Sequence, residues 1–108
     1  MGITKTDKFN VTQNRIARLA KAIGHPARIA ILEVLLKRNM CICGDLVDEL
    51  PLSQSTISQH LKELKEAGII NGEIEGTSVC YCIDEKVWKE AQKSLNKMFD
   101  SYKGNTCC

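Results

Sequence analysis

From Val11 the apolar positions Ile16, Leu19, Ala20 and Ile23 return at helical spacing and Gly24 closes the run, which predicts a first helix starting at residue 11. Pro26 suits the opening turn of a second helix, where the amide proton that proline lacks has no partner anyway. In that helix Ile29, Ile31, Leu32, Leu35 and Leu36 are dense enough to be buried on more than one side, which places it at the centre of the core. Asp45 to Leu50 reads as a short third helix stopped by Pro51, because the residue ahead of a proline avoids helical backbone angles. Ser53 or Ser55 caps the next helix, whose Ile57, Leu61 and Leu64 form one apolar stripe before Gly68 ends it. The period then changes: Ile69 to Glu75 and Ser78 to Ile83 read as two strands around Glu75-Gly76-Thr77, a hairpin with glycine at its tip. Asp84 caps a last long helix with Val87, Trp88, Ala91, Leu95, Met98, Phe99 and Tyr102 along one side.

These elements make a mainly α chain with a small β-hairpin, a winged helix-turn-helix over residues 11–103. Residues 1–10 are polar and aperiodic and read as a flexible arm, and residues 104–108 as a flexible, cysteine-bearing tail. The first and last helices carry apolar faces larger than a chain of 108 residues can cover alone, which favours a homodimer built through them.

Composition changes the picture mainly by exclusion. The length fits one domain with a modest core. No run approaches the roughly 18 apolar residues of a membrane span, and the N-terminus lacks the apolar stretch of a secretory signal, so the expected setting is cytoplasmic with no membrane partner. Six cysteines in a secreted miniprotein would mean three disulfides, but a chain dominated by amphipathic helices fits reduced thiols better. The net charge of +2 is too small to argue for nucleic acid by itself. Its distribution says more: residues 1 to 38 hold eight basic side chains against Asp7 and Glu33, so the remainder is net acidic. That asymmetry suits a polyanion along one edge, and equally suits ordinary solvated helix faces.

Short polar side chains at the start of a helix after a tight turn are what major-groove reading requires, since Gln, Ser and Thr reach base edges and phosphates without blocking close approach. Gln54, Ser55, Thr56, Ser58, Gln59, His60 and Lys62 are the candidates, and the amides of the helix N-terminus add a place for a phosphate. The competing description, a merely exposed polar face, is weakened by the hairpin directly downstream. The string Leu-Ser-Gln-Ser-Thr-Ile-Ser-Gln-His-Leu-Lys-Glu-Leu-Lys-Glu-Ala-Gly over residues 52–68 resembles the recognition helix of the ArsR/SmtB family of metal-responsive winged-helix repressors. The resemblance extends upstream through Gly24-His25-Pro26-Ala27-Arg28-Ile29 and downstream through the hairpin, roughly residues 14 to 100. It implies a homodimer on palindromic double-stranded operator DNA that is released when an inducer binds. One departure is the wing, where Glu73, Glu75, Thr77 and Ser78 stand in place of the basic residues common in relatives, so little phosphate contact is expected there.

Cys41-Ile42-Cys43 before the third helix resembles the Cys-Val-Cys-Asp-Leu signature with which arsenic sensors of that family bind trivalent arsenic or antimony, here with Gly44 inserted before Asp45-Leu46. Positions i and i+2 share a side only in an extended chain, so a non-helical 41–43 segment is required. Thiols beside a helix N-terminus also have a lowered pKa, which favours the thiolate that a soft ion needs; two small buried hydrophobes are the bland alternative. The motif supplies two ligands. The vicinal Cys107-Cys108 pair is the preferred third donor, as some family members use C-terminal cysteines. Cys80 and Cys82 share one face of their strand and are expected to point outward, opposite an inward set of Val79, Tyr81 and Ile83, with a lesser claim as a metalloid or redox pair. Zinc or cadmium wants a fourth donor, and neither His25 nor His60 is well placed to be one. A sulfide or persulfide sensor forming a reversible Cys-Cys link is the alternative inducer class. A soft-metal trafficking protein that ignores DNA is the rival from another class, and no nucleophile-base pair suggests an enzyme.

Overall fold

The computed structural model describes residues 8–38, 41–43, 50–75 and 78–105. In chain order it holds helices α1 (Val11–Ile23) and α2 (Pro26–Arg38), strand β1 (Ile42–Cys43), helix α3 (Gln54–Glu66), strands β2 (Ile70–Glu75) and β3 (Ser78–Ile83), and helix α4 (Glu85–Asp100). The short helix expected over 45–50 lies outside the described residues except for Leu50, as do the hairpin tip Gly76-Thr77, the arm up to residue 7, and Cys107 and Cys108.

Each described helix starts where a side chain can accept an otherwise unpartnered amide. Asn10 and Gln13 close a reciprocal box at α1, Oδ1 of Asn10 accepting from the Gln13 amide at 2.7 Å and Oε1 of Gln13 accepting from the Asn10 amide at 3.0 Å. At α2 the ring of His25 takes this role, Nδ1 accepting from the Ala27 amide at 3.0 Å. Ser53 caps α3 through the Thr56 amide and Asp84 caps α4 through the Val87 amide. At the far end of α3, Ile69 donates to the Leu64 carbonyl at 3.1 Å and Gly68 to the Lys65 carbonyl at 2.9 Å. This double closure needs the left-handed backbone that Gly68 adopts, φ 84°.

The core forms around α2, as its apolar density predicts: Ile31, Leu32 and Leu35 are buried against Leu19 of α1, Ile57, Leu61 and Leu64 of α3, and Ile69 and Ile70 at the start of the hairpin. The sheet is larger than the predicted hairpin. β1 adds to β3 as a third antiparallel strand, giving the order β1-β3-β2. α4 lies against α1, where Arg15 grips Glu90 through two hydrogen bonds of 2.7 and 3.0 Å. No residue of α4 is buried, and Met98, Phe99 and Tyr102 remain exposed, as do Phe9 and Val11 near the start of α1.

Candidate DNA-reading helix and thiol cluster

α3 turns its stripe of Ile57, Leu61 and Leu64 into the core, which by helical geometry leaves Gln54, Ser55, Ser58, Gln59 and Lys62 exposed on the other side, with Thr56 half-buried. At its N-terminus Oγ of Ser53 donates to Oγ1 of Thr56 at 2.9 Å and lies 3.2 Å from Oγ of Ser55, so the short polar groups are pre-set by their own cap. The C-terminal end is held by Arg18, which donates to the Glu66 carbonyl at 2.9 Å and places a cation where the helix dipole is negative.

His60 differs from the other candidates. Nδ1 of its half-buried ring accepts from Nε of Arg28 at 3.1 Å, and the ring stands 4.4 Å centroid to centroid from His25. Arg28 is in turn anchored to the carbonyls of Ala22 at 3.1 Å and Lys21 at 3.4 Å. Burial first, and then the proximity of His25 and Arg28, hold the His60 pKa below its ordinary value, which favours the neutral ring that can accept from Arg28. His60 thus fastens the reading helix to the α1–α2 turn. Sequence reasoning missed Arg28 and His25 in this role. The signal available was the His25-Pro26 pair, which marks a helix start.

The sheet that packs beside this helix collects cysteines. Ile42 stands opposite Tyr81 and Cys43 opposite Cys80 in the β1–β3 register. Cys41, one residue ahead, is disulfide-bonded to Cys82, with the Cα atoms 4.3 Å apart across 41 residues of sequence. Cys80 is disulfide-bonded as well. The 41–43 segment is extended, as its ligand reading requires. Tyr81 and Ile83 pack against the core as expected of the inward set, but the opposite face is not the open surface that was expected: Cys80 is only 5% exposed. The physical reason is β1, whose pairing makes β3 the middle strand and flanks Cys80 with backbone on both sides. Cys41 is exposed and Cys82 half-buried, and both line an open cleft of about 440 Å³ between α2 and α4, walled by Leu35, Leu36 and Trp88. With Cys41 and Cys82 bonded to each other, no group of three or more His, Cys, Asp or Glu side chains among the described residues is set to hold a metal ion. In the reduced chain the donors of this region would be sulfur, the donor class of soft thiophilic ions.

Comparison with known proteins agrees with this arrangement. Residues 25–72, from the His25 cap through α3 to the first half of the hairpin, match the model of bacterial regulatory proteins of the arsR family. An uncharacterised helix-turn-helix transcriptional regulator of Methanocaldococcus jannaschii, MJ1325, is 41% identical over 86 residues, covering 78% of this chain and 94% of the relative. The transcriptional repressor SmtB of Mycobacterium tuberculosis is 44% identical over 63 residues, 58% of this chain and 46% of the repressor. Among solved structures, HlyU of Vibrio cholerae superposes with a TM-score of 0.68 at 29% identity, over 86% of this chain and all of that one. No described helix is long and apolar enough to cross a membrane. An exposed polar reading helix on a winged-helix frame, matched by regulators along most of its length, makes this chain a DNA-binding transcriptional regulator of the ArsR/SmtB family.

Proposed function

We propose that the chain acts as a dimeric repressor that grips a palindromic operator through two copies of α3 and releases it when Cys41 and Cys43 bind trivalent arsenic or antimony as thiolates. The observation that carries this reading is the extended Cys41-Ile42-Cys43 segment, paired into the wing sheet and ten residues ahead of α3. Two soft donors at alternate positions of an extended chain suit a thiophilic ion, and their closeness to the reading unit gives ligation a lever on it. The dimer is supported by bare apolar residues of α1 and α4, above all Val11, Met98 and Phe99, and by Tyr102 just past α4. Joining them would carry two reading helices to successive major grooves, about 34 Å apart. Repression is supported by the name of the SmtB relative.

The coupling runs through β1. A ligand that draws Cys41 and Cys43 together shifts the strand, the link to α3 and hence the spacing of the paired reading helices; family-scale couplings between two sites are roughly 1–3 kcal/mol.

The Cys41–Cys82 disulfide favours a second reading, a thiol-redox regulator. There the two thiols give up two electrons and two protons to a peroxide, persulfide or low-molecular-weight disulfide, and the new S–S bond ties β1 to β3. Fluorescence anisotropy of the reduced protein on the DNA upstream of its own gene, at fixed salt, separates the readings. Stoichiometric arsenite releases the DNA on the metalloid reading; release by persulfide or diamide with indifference to arsenite selects the redox reading.

A further inference from the structure

Two cysteine pairs, not one, meet at the base of the wing. β1 runs antiparallel to β3 with Cys43 directly opposite Cys80, and Cys41 is bonded to Cys82. Opposite residues of an antiparallel pair lie on the same side of a sheet, as do residues two apart along a strand. The register therefore sets four cysteine positions at the corners of one two-by-two block. One edge of that block is already close enough for a covalent bond between its sulfurs.

We infer that, in the reduced chain, Cys82 and Cys80 supply the donors that Cys41 and Cys43 lack, so that a thiophilic ion is held within one subunit by a four-thiolate clasp across β1 and β3, without the C-terminal pair. The inference rests on the reading of Cys41 and Cys43 as ligands and names their partners. Tetrahedral thiolate coordination of zinc, at about 2.3 Å, places the sulfurs about 3.8 Å apart, and a larger soft ion spaces them more widely; cross-strand pairs, with Cβ atoms about 4.5–5.5 Å apart, reach this by rotating inward. Cadmium takes all four sulfurs; a trivalent metalloid takes Cys41, Cys43 and one sulfur of β3. The disulfide is the oxidised form of the same cluster and excludes the ion. The Cys41–Cys82 disulfide is opened by two equivalents of a low-molecular-weight thiol, R–SH, which leave as R–S–S–R, and the cysteine thiols give up their protons as the ion binds. The clasp joins β1, which precedes α3, with β3, which ends at Ile83 directly before Asp84, the cap of α4. One ion would thereby touch both the reading unit and the last helix.

Cadmium is the probe, added to the reduced full-length chain, with X-ray absorption counting sulfur ligands and thiolate charge-transfer absorbance giving affinity. The expected result is one ion per chain with four sulfurs, unchanged in a Cys107→Ser/Cys108→Ser double variant. Cys82→Ser is expected to fall to three sulfurs and at least tenfold weaker binding, and the oxidised chain to bind none. Four sulfurs retained in Cys82→Ser, or lost in the double variant, would overturn the clasp. Should Cys82→Ser fail to fold, cadmium protection of Cys80 and Cys82 against alkylation in the wild-type chain decides: equal labelling with and without cadmium refutes it. Arsenite that leaves the DNA bound while cadmium still finds four sulfurs would count against the metalloid reading alone. Arsenite that releases DNA from a Cys80→Ser/Cys82→Ser double variant as it does from wild type would count against the clasp alone.

Discussion

The reading helix and the cysteine-bearing sheet share one core yet differ in what else holds them. α3 is fixed by close-packed apolar side chains, a serine cap, a glycine closure and the His25–Arg28–His60 contact, all of which persist whatever the redox state around the protein. β1 has two residues, held by the burial of Ile42 in the same core, by pairing with β3 and by the Cys41–Cys82 bond. A strand so short contributes little stability of its own. The contrast suggests a division of labour: a reading surface insensitive to its chemical surroundings, and a neighbouring element whose position depends on them.

The largest expected effect comes from breaking the insensitive side. Leu64 is fully buried at the meeting of α3 with the hairpin, so Leu64→Ala should cost about 2–5 kcal/mol, read as a shift of the urea midpoint with unchanged slope. A loss under 1 kcal/mol would mean that the core is not close-packed there. Reducing the disulfides comes next. A bond closing 41 residues is worth about 2–4 kcal/mol, so the melting temperature should fall on adding a phosphine reductant while helical circular dichroism before the transition is retained. Helix loss on reduction would show that the two regions are not separable.

Gly68→Ala sharpens the same contrast at smaller scale. The added Cβ meets only Cγ2 of Val87 at 3.6 Å, so the expected loss of about 1 kcal/mol arises from the left-handed backbone, not from crowding. Replacement by Asn, which tolerates that backbone better, should recover part of it. The smallest effect is pH. Because the folded state holds the His60 pKa below its ordinary value of 6.5, the stability linked to its neutral ring is fully present above that value and drains away as pH falls through the lower, folded one. The carboxylates of Glu90, Asp84 and Glu85, held low chiefly by hydrogen bonds from Arg15, the Val87 amide and Lys89, titrate further down. A denaturation series from pH 7.5 to 5.5 should therefore show a slope in the wild type that His60→Gln removes. An unchanged slope in the variant would assign the effect elsewhere.

The helices were legible because their signals are local: Gly24, Pro26, Ser53, Gly68 and Asp84 punctuate apolar runs of period 3.6 within a few residues. The exposed side of α3 followed from the same period. β1 was harder, since a two-residue strand has no period; only the demand that Cys41 and Cys43 share a side hinted at extended chain. Its partner could not be read at all, because the register of Cys43 against Cys80 is a pairing between segments some forty residues apart. For the same reason Cys80 was expected at the surface: the alternation along β3 gives the face correctly, but not what lies beside it. The Arg28–His60 contact also spans elements, from α2 to α3, and leaves no trace in either segment alone.

The most direct test of the account is operator binding by Cys41→Ser beside the wild type, both reduced, with arsenite titrated at fixed salt. The account predicts equal affinity for DNA without arsenite, release of the wild type at one equivalent per chain, and a variant that stays bound. Loss of DNA binding by the variant without arsenite, or its release by arsenite at the wild-type equivalence point, would contradict the claim that thiolate chemistry at β1 governs the grip of α3.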